Sequence, residues 1–275
     1  MNSFLRKIST MLSVQYAGML EYRAELFLWA ISGSLPLILA GVWYEISKST
    51  PGNPSPFALQ PAEYVRYFFA SYIVRQMTLV WVVWEFETQI VQGTLALRLL
   101  QPIDPAWHHI SEHLAERVAR IPVLMILGVV FFIFYFAALM QWPLDGQSIG
   151  LGFLAILVTF AMRFCVQYAF AMLAFWVERA WGIEQLWYLP YLFVSGLIFP
   201  LDDYSPVVRE ALMYTPFPYL IYFPAKLLAG QMDTLALTIN ISRGFFVTIS
   251  WGVVFFLIQR GLWRAGLRSF TAMGA

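Results

Sequence analysis

The residues with the most chemistry to offer fall into two groups. His109-Ile-Ser-Glu-His113 spells H-x-x-E-H, which sets two imidazoles one helical turn apart with a carboxylate between them, the pattern of one class of zinc hydrolases. On that reading His109, Glu112 and His113 would serve a zinc-dependent membrane hydrolase, but a third protein ligand is missing, because the nearest acids, Glu112 and Glu116, share the same short helix. A polar helix on the cytoplasmic face, with Trp107 at the lipid boundary, is the competing reading of this stretch. The second group is Arg75, Arg163 and Gln167, which interrupt long apolar runs. A charge near the bilayer centre costs roughly 2.5–3.5 kcal/mol even on the lenient insertion scale, so such a residue faces a cavity or a partner. Neither arginine has an acid near it in its own run. Two guanidinium forks suit a phosphate or carboxylate head group, with Gln167 adding a neutral donor one turn past Arg163. The competing reading pairs each arginine with a carboxylate from elsewhere. Arg66, near the end of its run, is expected to snorkel. No G-x-x-x-x-G-K-[ST] occurs, so the chain cannot cradle nucleotide phosphates in that way, and no cofactor is expected in it.

Apolar helices must position these groups. The 275 residues are 60% hydrophobic and only 12% charged, about half the charged share of a soluble domain. That much apolar surface cannot be hidden in water, so an all-α integral membrane protein is expected. The net charge of +1 excludes nucleic acid as a partner, and a single cysteine, Cys165, excludes an intrachain disulfide. Glu21, Arg23 and Glu25 interrupt the N-terminus, so no cleavable signal peptide is expected.

A single transmembrane domain over residues 1–275 is predicted, with six spans at about 26–45, 64–84, 122–140, 149–176, 185–200 and 243–259. Residues 3–22 place Phe4, Ile8, Leu12, Tyr16 and Met19 opposite Arg6, Lys7, Thr10 and Ser13, which predicts an amphipathic helix on the membrane surface. Residues 47–61 form a proline-rich loop. Between spans five and six, Pro206, Pro216, Pro218 and Pro224 forbid one continuous helix. Two short helices are expected there, dipping into the interface through Tyr214, Phe217, Tyr219, Tyr222 and Phe223. The acidic pair Asp202-Asp203 reads as a solvated turn.

Glu85 to Arg120 is the one long polar stretch, and it lies between two spans. Its first half, Gln89 to Pro102, predicts a short helix ending at a proline and acting as a transmission element. With six spans, ten Lys and Arg residues gather on the side of this stretch and four on the other. That asymmetry places both termini and the polar stretch in the cytoplasm.

Several segments then fit one family by order and spacing: Gln15-Tyr-Ala-Gly-Met-Leu-Glu-Tyr-Arg23, Gly93-Thr-Leu-Ala-Leu-Arg-Leu-Leu-Gln-Pro102, Trp107-His-His-Ile-Ser-Glu-His-Leu-Ala-Glu-Arg117, Ser195-Gly-Leu-Ile-Phe-Pro200 and Thr215-Pro-Phe-Pro-Tyr-Leu-Ile-Tyr-Phe-Pro224. Through them the chain resembles a permease subunit of the type-2 ABC transporters, in the six-span branch related to daunorubicin-type exporters. The resemblance implies a prokaryotic cytoplasmic membrane and a dimer with a second permease, identical or a diverged paralogue. It also implies separate ATP-binding subunits that carry ATP and Mg. A coupling helix over about Gln89 to Leu100 would place Gln89, Gln92, Gly93, Thr94, Leu95 and Arg98 at the ATPase interface. Short re-entrant helices would lie between spans five and six. An amphipathic substrate such as a drug, lipid or hydrophobic peptide would leave the cytoplasm or inner leaflet. An ion-coupled secondary transporter is the alternative, although it would favour intramembrane carboxylates over arginines.

Overall fold

The computed structural model describes residues 10, 12–19, 23–49, 57–143, 145–177, 179–231 and 240–270, and among them every regular element is helical. Residues 12–19 are helical. The rest of the expected surface helix over 3–22, and residues 50–56 of the proline-rich loop, lie outside the described residues.

The expected first span is two helices, α1 (Arg23–Ser32) and α2 (Leu35–Ser49). The Gln76 side-chain amide donates to the Ala30 carbonyl at 3.0 Å, and the Ser34 N–H bonds to Ile31 instead. A side chain inserted into the ladder in this way is a recognised cause of a sharp kink. Gly33 leaves room for it, since a Cβ there would collide with the Gln76 amide.

Gln76 belongs to α3 (Pro61–Thr78), and ten of the 18 residues of this helix are buried, which makes it the central element. The expected span over 64–84 does not run through as one helix: α3 stops at Thr78, and α4 (Val82–Val91) begins after a break at Leu79–Trp81. The break is held from outside. Arg117 donates to the Met77 carbonyl, and to the Leu79 and His113 carbonyls at 2.7 Å each, so it supplies donors that the end of α3 lacks.

After α4 come α5 (Leu95–Leu99), α6 (Pro105–Phe134), α7 (Phe136–Met140), α8 (Gly146–Ala171), α9 (Ala180–Val194), α10 (Pro206–Leu212), α11 (Tyr222–Leu228) and α12 (Ile241–Ser269). α6 starts at Pro105, where the Asp104 carboxylate accepts from the Ala106 N–H at 2.9 Å, and not at Pro122 as expected. The histidine stretch and the third span are therefore one helix, with Pro122 inside it. α9 begins before the expected 185 and ends at Val194, and α12 extends the expected last span through Arg260, Arg264 and Arg268.

Among the described residues four segments are long and apolar enough to cross a membrane: Phe27–Ser49, Pro105–Phe134, Gly146–Phe175 and Ile241–Ser269. α3 is not one of them, because Glu63, Arg66, Arg75 and Gln76 dilute its apolar character. Two hydrophobic clusters hold the helices together. One surrounds Tyr67, Phe68 and Tyr222, and the other surrounds Phe86, Leu95 and Tyr168. α8 contributes to both, through Ile156 and Met162 to the first and Phe164 and Met172 of the following 3₁₀ turn to the second.

The stretch after α9 also differs from expectation. Tyr219, Tyr222 and Phe223 are buried in protein, not dipped into the interface, while Tyr214 is 62% exposed. The Tyr219 hydroxyl is satisfied by the Met213 carbonyl at 2.7 Å. Asp202 and Asp203 are not a solvated turn: Asp202 forms a buried ion pair with Lys226 at 2.9 Å, and Asp203 accepts from the Tyr64 hydroxyl at 2.7 Å.

Candidate functional site

Arg75, Arg163 and Gln167 line one cavity of about 950 Å³, set between residues 15–19, α1, the end of α3, α4, α6, α8 and α9. Trp29, Trp81, Trp84 and Trp181 contribute to walls that also hold Glu112, Glu116, Arg120 and Glu184. A large, mainly apolar enclosure with a few convergent polar groups suits an amphipathic molecule.

The arginines are not equivalent. Arg163 donates from Nη1 to the Tyr191 hydroxyl at 3.2 Å and lays its guanidinium over that ring, 4.7 Å from the centroid. Glu184 of α9 interacts with the Arg163 charge and with the Gln167 amide. Arg120 forms an ion pair with Glu116, whose other oxygen accepts from Trp81 Nε1 at 2.8 Å. At Arg75, by contrast, Nε and Nη1 are buried without a partner among the described residues. The expected pair of unpaired guanidinium groups thus reduces to one: Arg163 is engaged across the helix interface and Arg75 is available.

The H-x-x-E-H residues separate. His109 Nδ1 meets Glu85 Oε2 at 3.0 Å, whereas His113 Nδ1 faces Glu116 Oε2 at 3.7 Å, with its ring edge-on to Trp81. The ligand set His109, Glu112 and His113 is therefore not assembled. Glu85, His109 and Glu112 come together instead, with ligand atoms all within 4.8 Å of one another. On this helix His109, Ser111, His113, Glu116 and Arg120 are buried, while Trp107 is exposed.

Glu85 is the hub of this inner cluster. It accepts from Gln89 Nε2 at 3.0 Å and lies 3.6 Å from Arg98 Nη2. Burial opposes its charge, but the hydrogen bond and charge of His109, helped by Arg98, outweigh that penalty and hold its carboxyl at about 2.

The expected coupling helix over Gln89 to Leu100 is an elbow. α4 ends, Gln92–Thr94 turn, and α5 follows, with Gly93 in the left-handed region at φ 72°. Gln89 and Leu95 are buried and support the elbow from within. Gln92 and Thr94 are exposed at its tip, beside the apolar Val91, Leu97 and Leu100, which are 60%, 65% and 83% exposed. Sequence reasoning missed Glu85, Arg117 and these three apolar residues. Only Glu85 left a signal, the i, i+4 spacing from Gln89 that sets both on one face of a helix.

No curated protein and no solved structure matches the chain. A family model described as ABC-2 family transporter protein matches residues 61–274, from the start of α3 to beyond the end of α12, and so takes in the elbow and the cavity walls from α3 onward, but not those from residues 15–33. The chain belongs to the ABC-2 family of transporter proteins.

Proposed function

We propose that this membrane component of an ABC transporter exports an amphipathic substrate, such as a drug, lipid or hydrophobic peptide, powered by ATP hydrolysis on a separate subunit that docks at the elbow. The observation that carries this reading is the cavity of about 950 Å³ with the unpartnered Arg75 guanidinium in its wall. An anionic or zwitterionic head group would take the Arg75 donors while the tryptophans hold its apolar body. A second permease, identical or a diverged paralogue, completes the transport path.

Six crossings of a prokaryotic cytoplasmic membrane follow if α3 and α9 join the four long segments. α6 has 30 residues and is about 45 Å long, against a hydrocarbon core of about 30 Å, so its polar start projects beyond the core. Arg260 Nη1 lies 2.8 Å from Asp104 Oδ2, which sets the basic end of α12 beside that start. The shared positive face is cytoplasmic by the positive-inside rule, with both termini on that side. Docking at the elbow involves Gln92, Gly93 and Thr94 with the exposed Val91, Leu97 and Leu100, while Gln89, Leu95 and Arg98 shape it from behind.

Proteoliposomes containing the chain, its second permease and its partner ATPase test this reading. ATP-dependent transport of a fluorescent anionic amphiphile is expected, and Arg75→Ala should reduce it by about 10-fold or more while sparing a neutral analogue, as loss of a hydrogen-bonded charge predicts. Transport that continued without ATP would return the ion-coupled alternative.

A further inference from the structure

Glu85 and Gln89 share one face of α4, and His109 and Glu112 share one face of α6. Where these faces meet, a fully buried imidazole and two carboxyl groups converge, and the two carboxyl groups are hydrogen-bonded to each other. A hydrogen bond between two carboxyl groups requires a shared proton, and a divalent cation that displaces this proton is the other charge that can hold them this close. Gln89 points the same way: its side chain is only 6% exposed, its amide lies 3.0 Å from Glu85 Oε1, and its Oε1 has no partner. Rotating that amide by half a turn exchanges its nitrogen and oxygen. An oxygen would then stand about 3 Å from Glu85 Oε1, the spacing of adjacent oxygen ligands on an ion bound at about 2.1 Å.

We propose that Glu85, His109 and Glu112, with Gln89 as a fourth donor, form a binding site for a divalent transition-metal cation that clamps α4 to α6 behind the elbow. One imidazole with carboxylate and amide oxygens suits Zn²⁺ or Mn²⁺. The site is distinct from the H-x-x-E-H ligand pair, because His113 is engaged with Glu116 and lies outside the cluster. Arg98 of α5, 3.6 Å from Glu85 Oε1, competes with the cation for Glu85. Binding therefore displaces Arg98 and loosens α5, which links metal occupancy to the elbow without depending on what the transporter carries.

Full-length protein purified in detergent and stripped with chelator should bind one Zn²⁺ by calorimetry and one Mn²⁺ by electron paramagnetic resonance. His109→Gln and Glu112→Gln should each weaken binding by at least about tenfold, a loss seen even when a group behind a metal ligand is removed. His113→Gln should leave it unchanged, and Arg98→Gln should tighten it by about fivefold by removing a nearby positive charge. A pulsed resonance spectrum of Mn²⁺ on the unmodified protein should show coupling to one imidazole nitrogen, a readout that needs no variant. The proposal fails if the stripped protein takes up neither ion, which would leave the two carboxyl groups sharing a proton only. It fails equally if the Mn²⁺ spectrum lacks imidazole coupling or if folded His109→Gln binds as well as the parent.

Discussion

Lys226 shows how counting charges along a chain leaves the environment of a side chain open. Counted along the chain it is one of four positive residues on the outer side, but it is fully buried, 2.9 Å from Asp202, whose other oxygen accepts from the Tyr222 hydroxyl at 3.1 Å. Removing one partner of a buried ion pair strands the other charge and costs about 3–5 kcal/mol, whereas removing both can be close to neutral. Lys226→Met should therefore lower the thermal unfolding midpoint of detergent-solubilised protein strongly, and Lys226→Met with Asp202→Asn should recover most of the loss. Equal destabilisation by the single and double variants would mean that the pair contributes little. Arg75 was legible for a different reason: a guanidinium in an apolar run signals a cavity or a partner from composition alone. Its difference from Arg163 was not legible, because Tyr191, which takes up Arg163, is 28 positions away in the chain.

At the level of elements, periodicity and composition marked out the long helices but not where they join or break. Nothing local announces that α3 stops at Thr78, because the donors for its final carbonyls come from Arg117, about forty positions later. The kink between α1 and α2 likewise depends on Gln76, 46 positions away from the carbonyl it takes. The elbow was half legible. Gly93 stood out in the polar stretch, but a continuous helix was the simpler expectation, and only the φ of 72° reveals the turn. A β-branched residue resists that backbone conformation. Gly93→Val should thus distort the elbow and reduce transport-coupled ATP turnover while leaving the buried support at Gln89 and Leu95 in place. ATPase activity stimulated to the parental level would argue against the elbow as the coupling element.

For the whole molecule, orientation is the property that most needs a direct measurement. Ser205 is exposed between Asp203 and α10, and Leu100 is exposed at the end of α5. With Cys165 replaced by Ala, Ser205→Cys should react with an impermeant maleimide added to intact cells, and Leu100→Cys should react only after the cells are opened. The reverse pattern would turn the protein over and move the elbow away from any cytoplasmic ATPase.

The central position of α3 also bears on how the chain is made. A segment carrying Glu63, Arg66, Arg75 and Gln76 is poorly suited to partition into lipid by itself, yet ten of its 18 residues end up enclosed by other helices. Of the helices that enclose it, only α2 precedes it in the chain, while α8 and α11 are made later. On the proposed six-span topology, insertion of α3 therefore depends on distant parts of the chain, and a fragment ending soon after Thr78 should insert poorly.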